Sequence, residues 1–174
     1  MSENITIRRA TAADAALISV LASTTFFEAY FRQDESANLA EYILESFDID
    51  VMLTEIADPA STFFLVFVDG KAAAYARMID DSRVDGVAAG PVVEVKRLYV
   101  AERFWRTGLG TRLLDHCISE ARSRQFDALW LGVWEENERA NAFYAKFGFE
   151  QVGTVTFPYG DVVGTNRVLQ LRLR

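Results

Sequence analysis

Gly108 and Gly110 stand two residues apart in the segment FWRTGLGTRLL, with Arg103 and Arg106 just before them and a leucine-rich run after. Leu109, Leu113, Leu114, Cys117, Ile118 and Ala121 follow helical spacing, so the glycines fall at the start of a helix. The first turn of a helix has backbone N–H groups without intrahelical acceptors and carries the positive end of the helix dipole. That suits a phosphate or pyrophosphate. Glycine lets such a ligand reach the backbone, and Arg103 or Arg106 would add charge-assisted hydrogen bonds. Two common phosphate sites are excluded. A dinucleotide fingerprint needs a third glycine where Leu113 stands, and a P-loop needs a Gly-Lys-Ser/Thr run that is absent. Taken alone, the glycine pair is equally consistent with a tight strand-to-helix turn that binds nothing.

The other chemistry-bearing residues are sparse. Glu94 lies two residues before Lys96 in VVEVKRLYV, a strand-like segment, so the two share a face. His116 is the only histidine and reads as a surface residue; Cys117 is the only cysteine. One of each makes no zinc site or Cys/His pair, and a lone cysteine forms no internal disulfide.

Stepping from these residues to the elements that hold them, ITIRRAT alternates like a first strand, and TAAD at Thr11–Asp14 is a capping-box pattern before a helix over Ala15–Tyr30. Leu17, Val20, Leu21 and Thr24 are expected to share its inner face. DESANLAEYILESF reads as a second helix with Ser36 as N-cap and Leu39, Tyr42, Ile43 and Phe47 inward. A short helix over Val51–Ala57 follows. Asp69-Gly70 joins two strand-like runs as a hairpin, and residues 80–91 read as a polar loop. After VVEVKRLYV and the glycine turn comes a helix to about Arg124. ALWLGVW reads as a buried strand, and NERANAFYAKFG as a helix with Asn137 as N-cap and Gly148 as its stop. FEQVGTVTF and TNRVLQLRLR are final strands around the turn region PYGDVVG. This order describes one α/β domain, residues 1–174, with a mixed sheet.

The chain has 174 residues, 51% of them apolar, and a net charge of −7. That favours one globular core and disfavours a nucleic-acid partner, whose phosphates need a basic face. No apolar run approaches the ~20 residues of a membrane span, and the N-terminus has no signal-peptide core. A cytoplasmic setting without membrane contact is expected.

EVKRLYVAERFWRTGLGTRLL followed by LWLGVWEENERANAFYAKFGF resembles the acetyl-CoA-binding half of the GNAT superfamily of N-acetyltransferases, about residues 92–150. Two motifs in the right order and separation are far more specific than the glycine turn alone. A closer resemblance, through LWLGVWEENERANAFYAKFGFEQVGTVTFPYGD, TTFFEAYF and AEYILESF, is to bacterial spermine/spermidine N-acetyltransferases of the PaiA type. The resemblance implies a mixed, mostly antiparallel sheet flanked by helices, with a splayed central strand pair that holds acetyl-CoA. It implies that Leu98, Tyr99 and Val100 pair with the pantetheine arm, Val100 also polarising the thioester carbonyl. The backbone of Arg106, Thr107, Gly108, Leu109, Gly110 and Thr111 would hold the pyrophosphate. Asn137 would bond the pantetheine arm, and a helix N-cap explains it equally well. Tyr144 would be the general acid for the departing thiolate. A tyrosine phenol, with a pKa near 10, is protonated at neutral pH. Arg139 and Lys146 stand where the nucleotide end would lie, and Phe157, Tyr159 and Asp161 where the amine would be walled in.

One departure stands out: the superfamily pattern has Arg or Gln where this chain has Trp105. A second is Gly132, where some protein-acetylating relatives carry a glutamate base. Glu94 is then the leading candidate for the base, with Glu135 next. The expected activity is acetyl transfer from acetyl-CoA, without a metal, to a primary amine by direct attack in a ternary complex. A polyamine is the favoured acceptor, and acidic Glu28, Asp34, Glu35, Glu41 and Glu45 would attract it. A protein N-terminus, another small amine, or a non-catalytic CoA-binding domain are the alternatives, and a homodimer stays open.

Overall fold

The computed structural model describes residues 4–160 and 162–174. The chain forms two compact units, Met1–Met78 with Arg97–His116, and Ile79–Lys96 with Cys117–Arg174. Seven strands are hydrogen-bonded in the order β1-β2-β3-β4-β5-β7-β6.

In the first unit, β1 (Ile5–Arg9) runs antiparallel to β2 (Ser61–Val68), with Ile5 opposite Val68 and Arg9 opposite Phe64. β2 returns through Asp69 and Gly70 into β3 (Lys71–Asp80). Both turn residues have positive φ, 49° and 77°, the two-residue hairpin geometry whose twist matches the strands. Phe63–Val66 and Ala73–Met78 are buried without alternation, as in strands covered on both faces.

The capping box forms as expected: the Thr11 N–H donates to Asp14 Oδ2 at 2.9 Å, and Arg8 grips the same carboxylate at 2.9 and 2.7 Å. A 3-10 turn leads into α1 (Ala15–Tyr30). Its inner face differs from the expected one. Ile18, Leu21, Ala22, Thr25 and Phe26 are buried, whereas Leu17 is 37% and Val20 65% exposed and Thr24 faces outward. Nearly every residue of α1 is apolar or small, so no polar face was present to set its rotation. Together with the 3-10 turn, Ala12–Tyr30 is a helical run of 19 residues, long and apolar enough by length and composition to cross a bilayer; this corrects the expectation that no such run exists.

Ser36 is the first residue of α2 (Ser36–Ser46), and Glu35, not Ser36, takes the cap position. Leu39 and Phe47 are buried, while Tyr42 and Ile43 are half-buried. α3 (Ile49–Ala57) begins two residues before the expected start because Asp48 caps it, Oδ1 accepting from the Asp50 N–H at 2.9 Å. An ion triad of one buried and two partly buried residues joins α3 to two strands. Glu55 accepts from Arg97 at 2.5 and 3.0 Å and faces Arg77 at 2.5 Å. Arg77 Nε also donates to Ser61 Oγ at 2.9 Å. Charges buried this deeply need such pairing. His116 is half-buried, with one side of its ring edge-on to Phe64 at 4.5 Å.

In the second unit, β4 (Val92–Val100) begins parallel to β5 (Ala128–Trp134). The register covers Val92↔Ala128, Val93↔Leu129 and Glu94↔Trp130. β5 is antiparallel to β7 (Val162–Arg172), which pairs in turn with β6 (Glu150–Tyr159). These two strands run through most of the expected turn region PYGDVVG; Asp161 lies outside the described residues. Val92, Ala128, Trp130 and Val168 form a core cluster on which Val84, Val87 and Ala88 pack. The expected loop forms over residues 81–91 and packs onto the sheet, where the Ala88 N–H donates to Gln170 Oε1 at 2.8 Å.

Candidate active site

In the first unit the end of β4, a 3-10 turn (Glu102–Phe104) and the start of α4 (Leu109–Ser123) follow in immediate succession. Leu98, Tyr99 and Val100 are half-buried and lie beyond the last residue of β4 in register with β5. The peptide joining Val100 to Ala101 is held at both ends. Its N–H donates to Ala73 O at 2.9 Å, and its carbonyl accepts from the Trp105 indole at 2.7 Å. Trp105, the departure from the superfamily pattern, thus ties the glycine turn back to the strand. Burial pushes the Tyr99 phenol well above its ordinary pKa, and the neighbouring Tyr30 adds to the rise.

Beyond Trp105 the chain turns sharply: Arg106 has φ 66° and Gly108 φ 85°. The left-handed conformation at Gly108 explains why glycine stands there. Thr107 turns back, its hydroxyl on Phe104 O at 2.7 Å and its N–H on the same oxygen at 3.4 Å. At the head of α4 the Arg112 N–H bonds to Gly108 O at 3.1 Å. The N–H groups of Leu109, Gly110 and Thr111 precede that bond, at the positive end of the helix dipole. Arg103 and Arg106 are exposed beside this turn.

In the second unit Glu94 is buried, 5% exposed. The Ser82 hydroxyl donates to its Oε2 at 2.6 Å, and Lys96 Nζ lies 3.3 Å from Oε1. The Trp130 indole, opposite Glu94 in the sheet, donates to Ser82 O at 2.8 Å and holds that partner in place. Asn137 caps α5 (Glu138–Lys146), its Oδ1 accepting from the Ala140 N–H at 3.0 Å. The helix-cap role is therefore real. Tyr144 is 9% exposed, with its ring edge-on to Phe143 at 5.1 Å and to Phe149 at 5.6 Å. Gly132 is exposed on β5, and a Cβ there would meet only Asn166 at ordinary contact distance, so the missing carboxylate is not forced by crowding. Glu135, Arg139 and Lys146 are exposed, and Phe157 and Tyr159 stack at 6.5 Å.

The first unit therefore brings together Leu98–Val100 and Arg106–Thr111 through Trp105. The second carries Glu94 in one polar cluster and Asn137 and Tyr144 on one helix. Sequence reading missed the supporting residues. Ser82 gave no signal, being twelve residues from Glu94 in a segment taken as loop. Asn141, whose amide donates to Trp134 O at 3.1 Å and Asn137 O at 2.9 Å, fastens α5 to the end of β5 and looked like any helix residue. Among the described residues no group of three His, Cys, Asp or Glu side chains is placed to hold a metal ion.

The profile of the acetyltransferase (GNAT) family matches residues 22–149. An uncharacterized N-acetyltransferase encoded in the pepI 3′ region of Lactobacillus delbrueckii subsp. lactis is 31% identical over 150 residues, 86% of each chain. Among solved structures, the PaiA N-acetyltransferase from Thermoplasma acidophilum in complex with coenzyme A superposes with a TM-score of 0.79 at 18% identity, covering 97% of this chain and 99% of that one. The ribosomal-protein-S18-alanine N-acetyltransferase from Escherichia coli gives 0.68 at 22% identity, covering 98% and 94%. The chain belongs to the GNAT family of N-acetyltransferases, with that family's α/β fold.

Proposed function

We propose that this N-acetyltransferase moves an acetyl group from acetyl-CoA to a primary amine of a small polyamine, by direct attack within a ternary complex. The observation that carries the cofactor assignment is the head of α4. The N–H groups of its first turn, which precede the Arg112–Gly108 hydrogen bond, stand behind a left-handed glycine, with Arg103 and Arg106 beside them. In this reading the pyrophosphate sits there, and the pantetheine arm pairs with the backbone of Leu98, Tyr99 and Val100 like a neighbouring strand. Asn137 bonds the arm in addition to capping α5.

The chemistry divides into two proton problems. An ammonium with pKa near 10.4 is neutral in only about one molecule in a thousand at pH 7, a cost of about 4–5 kcal/mol. Glu94 receives that proton through water, and Ser82 and Lys96 orient its carboxylate. The free amine then attacks the thioester carbonyl, which backbone N–H groups of β4 polarise. As the tetrahedral intermediate collapses, the C–S bond breaks and the Tyr144 hydroxyl gives its proton to the departing thiolate, regaining one from solvent afterwards.

The polyamine assignment is supported by the PaiA-type resemblance, by the net charge of −7 and by acidic residues on the first two helices. The second reading, a protein N-terminal α-amine, is favoured by the fold likeness to the S18-alanine enzyme and opposed by Gly132. A panel of spermidine, spermine, putrescine, aminoglycosides, amino acids and N-terminal peptides separates them through acetyl-CoA-dependent thiol release. The proposal expects polyamines to give the highest kcat/KM. A preference for peptides by tenfold or more would replace it with the second reading.

A further inference from the structure

Apart from Val163, the large apolar side chains exposed among the described residues all lie on α1–α3 or directly after α1. On α1 they form a stripe: Leu17, Val20, Phe27 and Phe31, with exposed Thr24 completing steps of three, four, three and four residues. That is the a/d spacing of a helix that packs against another helix. No charged residue interrupts the sequence from Ala15 to Phe27. We infer that this face is the interface of a two-fold symmetric homodimer, in which α1 packs antiparallel against α1 of a second copy.

Three observations select a second copy as the occupant. The first is area. At 41% and 58% exposure, Phe27 and Phe31 leave about 200 Å² of ring surface open. Leu17 and Val20, with Ile49 (43%) and Leu53 (39%) on the adjoining α3, bring the apolar total to about 500 Å². Interfaces are roughly 57% apolar, so this patch implies about 900 Å² per partner, against about 800 Å² for a stable dimer. The second is shape. Ala12, Ala13 and Ala16 are exposed at the N-terminal end of the stripe and the two phenylalanines lie at the other. An antiparallel pairing centred on position 22 sets Ala13 against Phe31, Leu17 against Phe27 and Val20 against Thr24. Small meets large at both ends, as a two-fold axis requires. A parallel pairing would set phenylalanine on phenylalanine and leave the alanines facing a gap. The third is charge. A chain with net charge −7 repels its own copy, so self-association needs a face free of carboxylates, and this stripe is one.

Sedimentation velocity on the full chain over a concentration series tests the interface. A monomer–dimer equilibrium with Kd at or below about 10 μM is expected. Val20→Glu should raise that Kd at least 100-fold and leave a folded monomer with native circular dichroism, since Val20 is 65% exposed; its Tm should lose the concentration dependence that a dimer confers. The double variant Val20→Cys/Thr24→Cys should form a covalent dimer on mild oxidation; Cys117 is fully buried and would not contribute. A wild-type chain that stays monomeric at its highest soluble concentration overturns the inference. So does a dimer that Val20→Glu leaves intact. A monomer that co-sediments with phosphatidylcholine vesicles through this face assigns it to a membrane instead. A Val20→Glu variant that loses turnover with no change in mass assigns it to the acceptor. The inference is independent of which amine is acetylated.

Discussion

Replacing Tyr144 by Phe removes one oxygen and leaves the ring. The ring is what packs: it is 9% exposed and lies edge-on to Phe143 at 5.1 Å and Phe149 at 5.6 Å, and both contacts survive the substitution. Stability should therefore change by no more than about 1 kcal/mol. The catalytic effect is of another size. A positioned general acid contributes typically 10²–10⁴-fold, or about 2.7–5.4 kcal/mol of barrier. With the side chain buried among aromatic rings, little water is at hand to replace the phenol, which places the expected loss of kcat at about 100-fold or more. The assay is thiol release at saturating acetyl-CoA and amine, with the dissociation constant of acetyl-CoA measured by calorimetry. Background is low because burial pushes the Cys117 thiol up to about 12 and keeps it from reacting. A large fall in kcat is expected, with an acetyl-CoA affinity within about threefold of wild type and a Tm within about 4 °C of it. Turnover within about threefold of wild type would refute the role of Tyr144. A fall in kcat matched by a lost Tm would mean that the hydroxyl supports the fold instead.

Other substitutions probe the remaining parts. Gly110→Asp places a carboxylate at the positive end of α4, where it favours the helix and repels pyrophosphate; acetyl-CoA binding should vanish in calorimetry while Tm holds or rises. Trp105→Phe keeps an aromatic ring but removes the indole donor to Val100 O, and should raise KM for acetyl-CoA about 5- to 150-fold, as the loss of about 1–3 kcal/mol implies. An unchanged KM would show that the strand end needs no tie. Arg8 holds the Asp14 carboxyl at about 2, below its ordinary value of 3.8. A depressed folded-state pKa stabilises above the unfolded value and is lost as pH falls through the folded one. Asp14→Asn should therefore be less stable than wild type above about pH 4, with the gap closing toward pH 2 in urea titrations; a gap independent of pH would contradict the pairing.

What could be read in advance followed from local pattern. β4 and β5 were bounded correctly because an alternating run and a continuous apolar run each end at turn residues, and Asn137 and Gly148 marked both ends of α5. The glycine turn was legible from Gly108 and the helical leucines behind it. What escaped had partners remote in sequence or patterns with no phase. Glu55 meets Arg97 forty-two residues away, and nothing local marks either as paired. Trp105 looked like a defect in a motif because its value lies in reaching back to Val100 O. α1 was bounded correctly yet rotated wrongly, since a helix without a polar face gives no direction inward. That same lack left exposed Leu17, Val20 and Thr24 to be mistaken for core.

The proposed reaction is acetyl transfer from acetyl-CoA to a polyamine nitrogen. It is tested most directly by incubating the full chain with acetyl-CoA and spermidine and following both products by mass spectrometry. N-acetylspermidine and free CoA are expected in equal amounts, at a rate that saturates in both substrates. Hydrolysis of acetyl-CoA with no acetylated amine, or no consumption of acetyl-CoA with spermidine present, would contradict it.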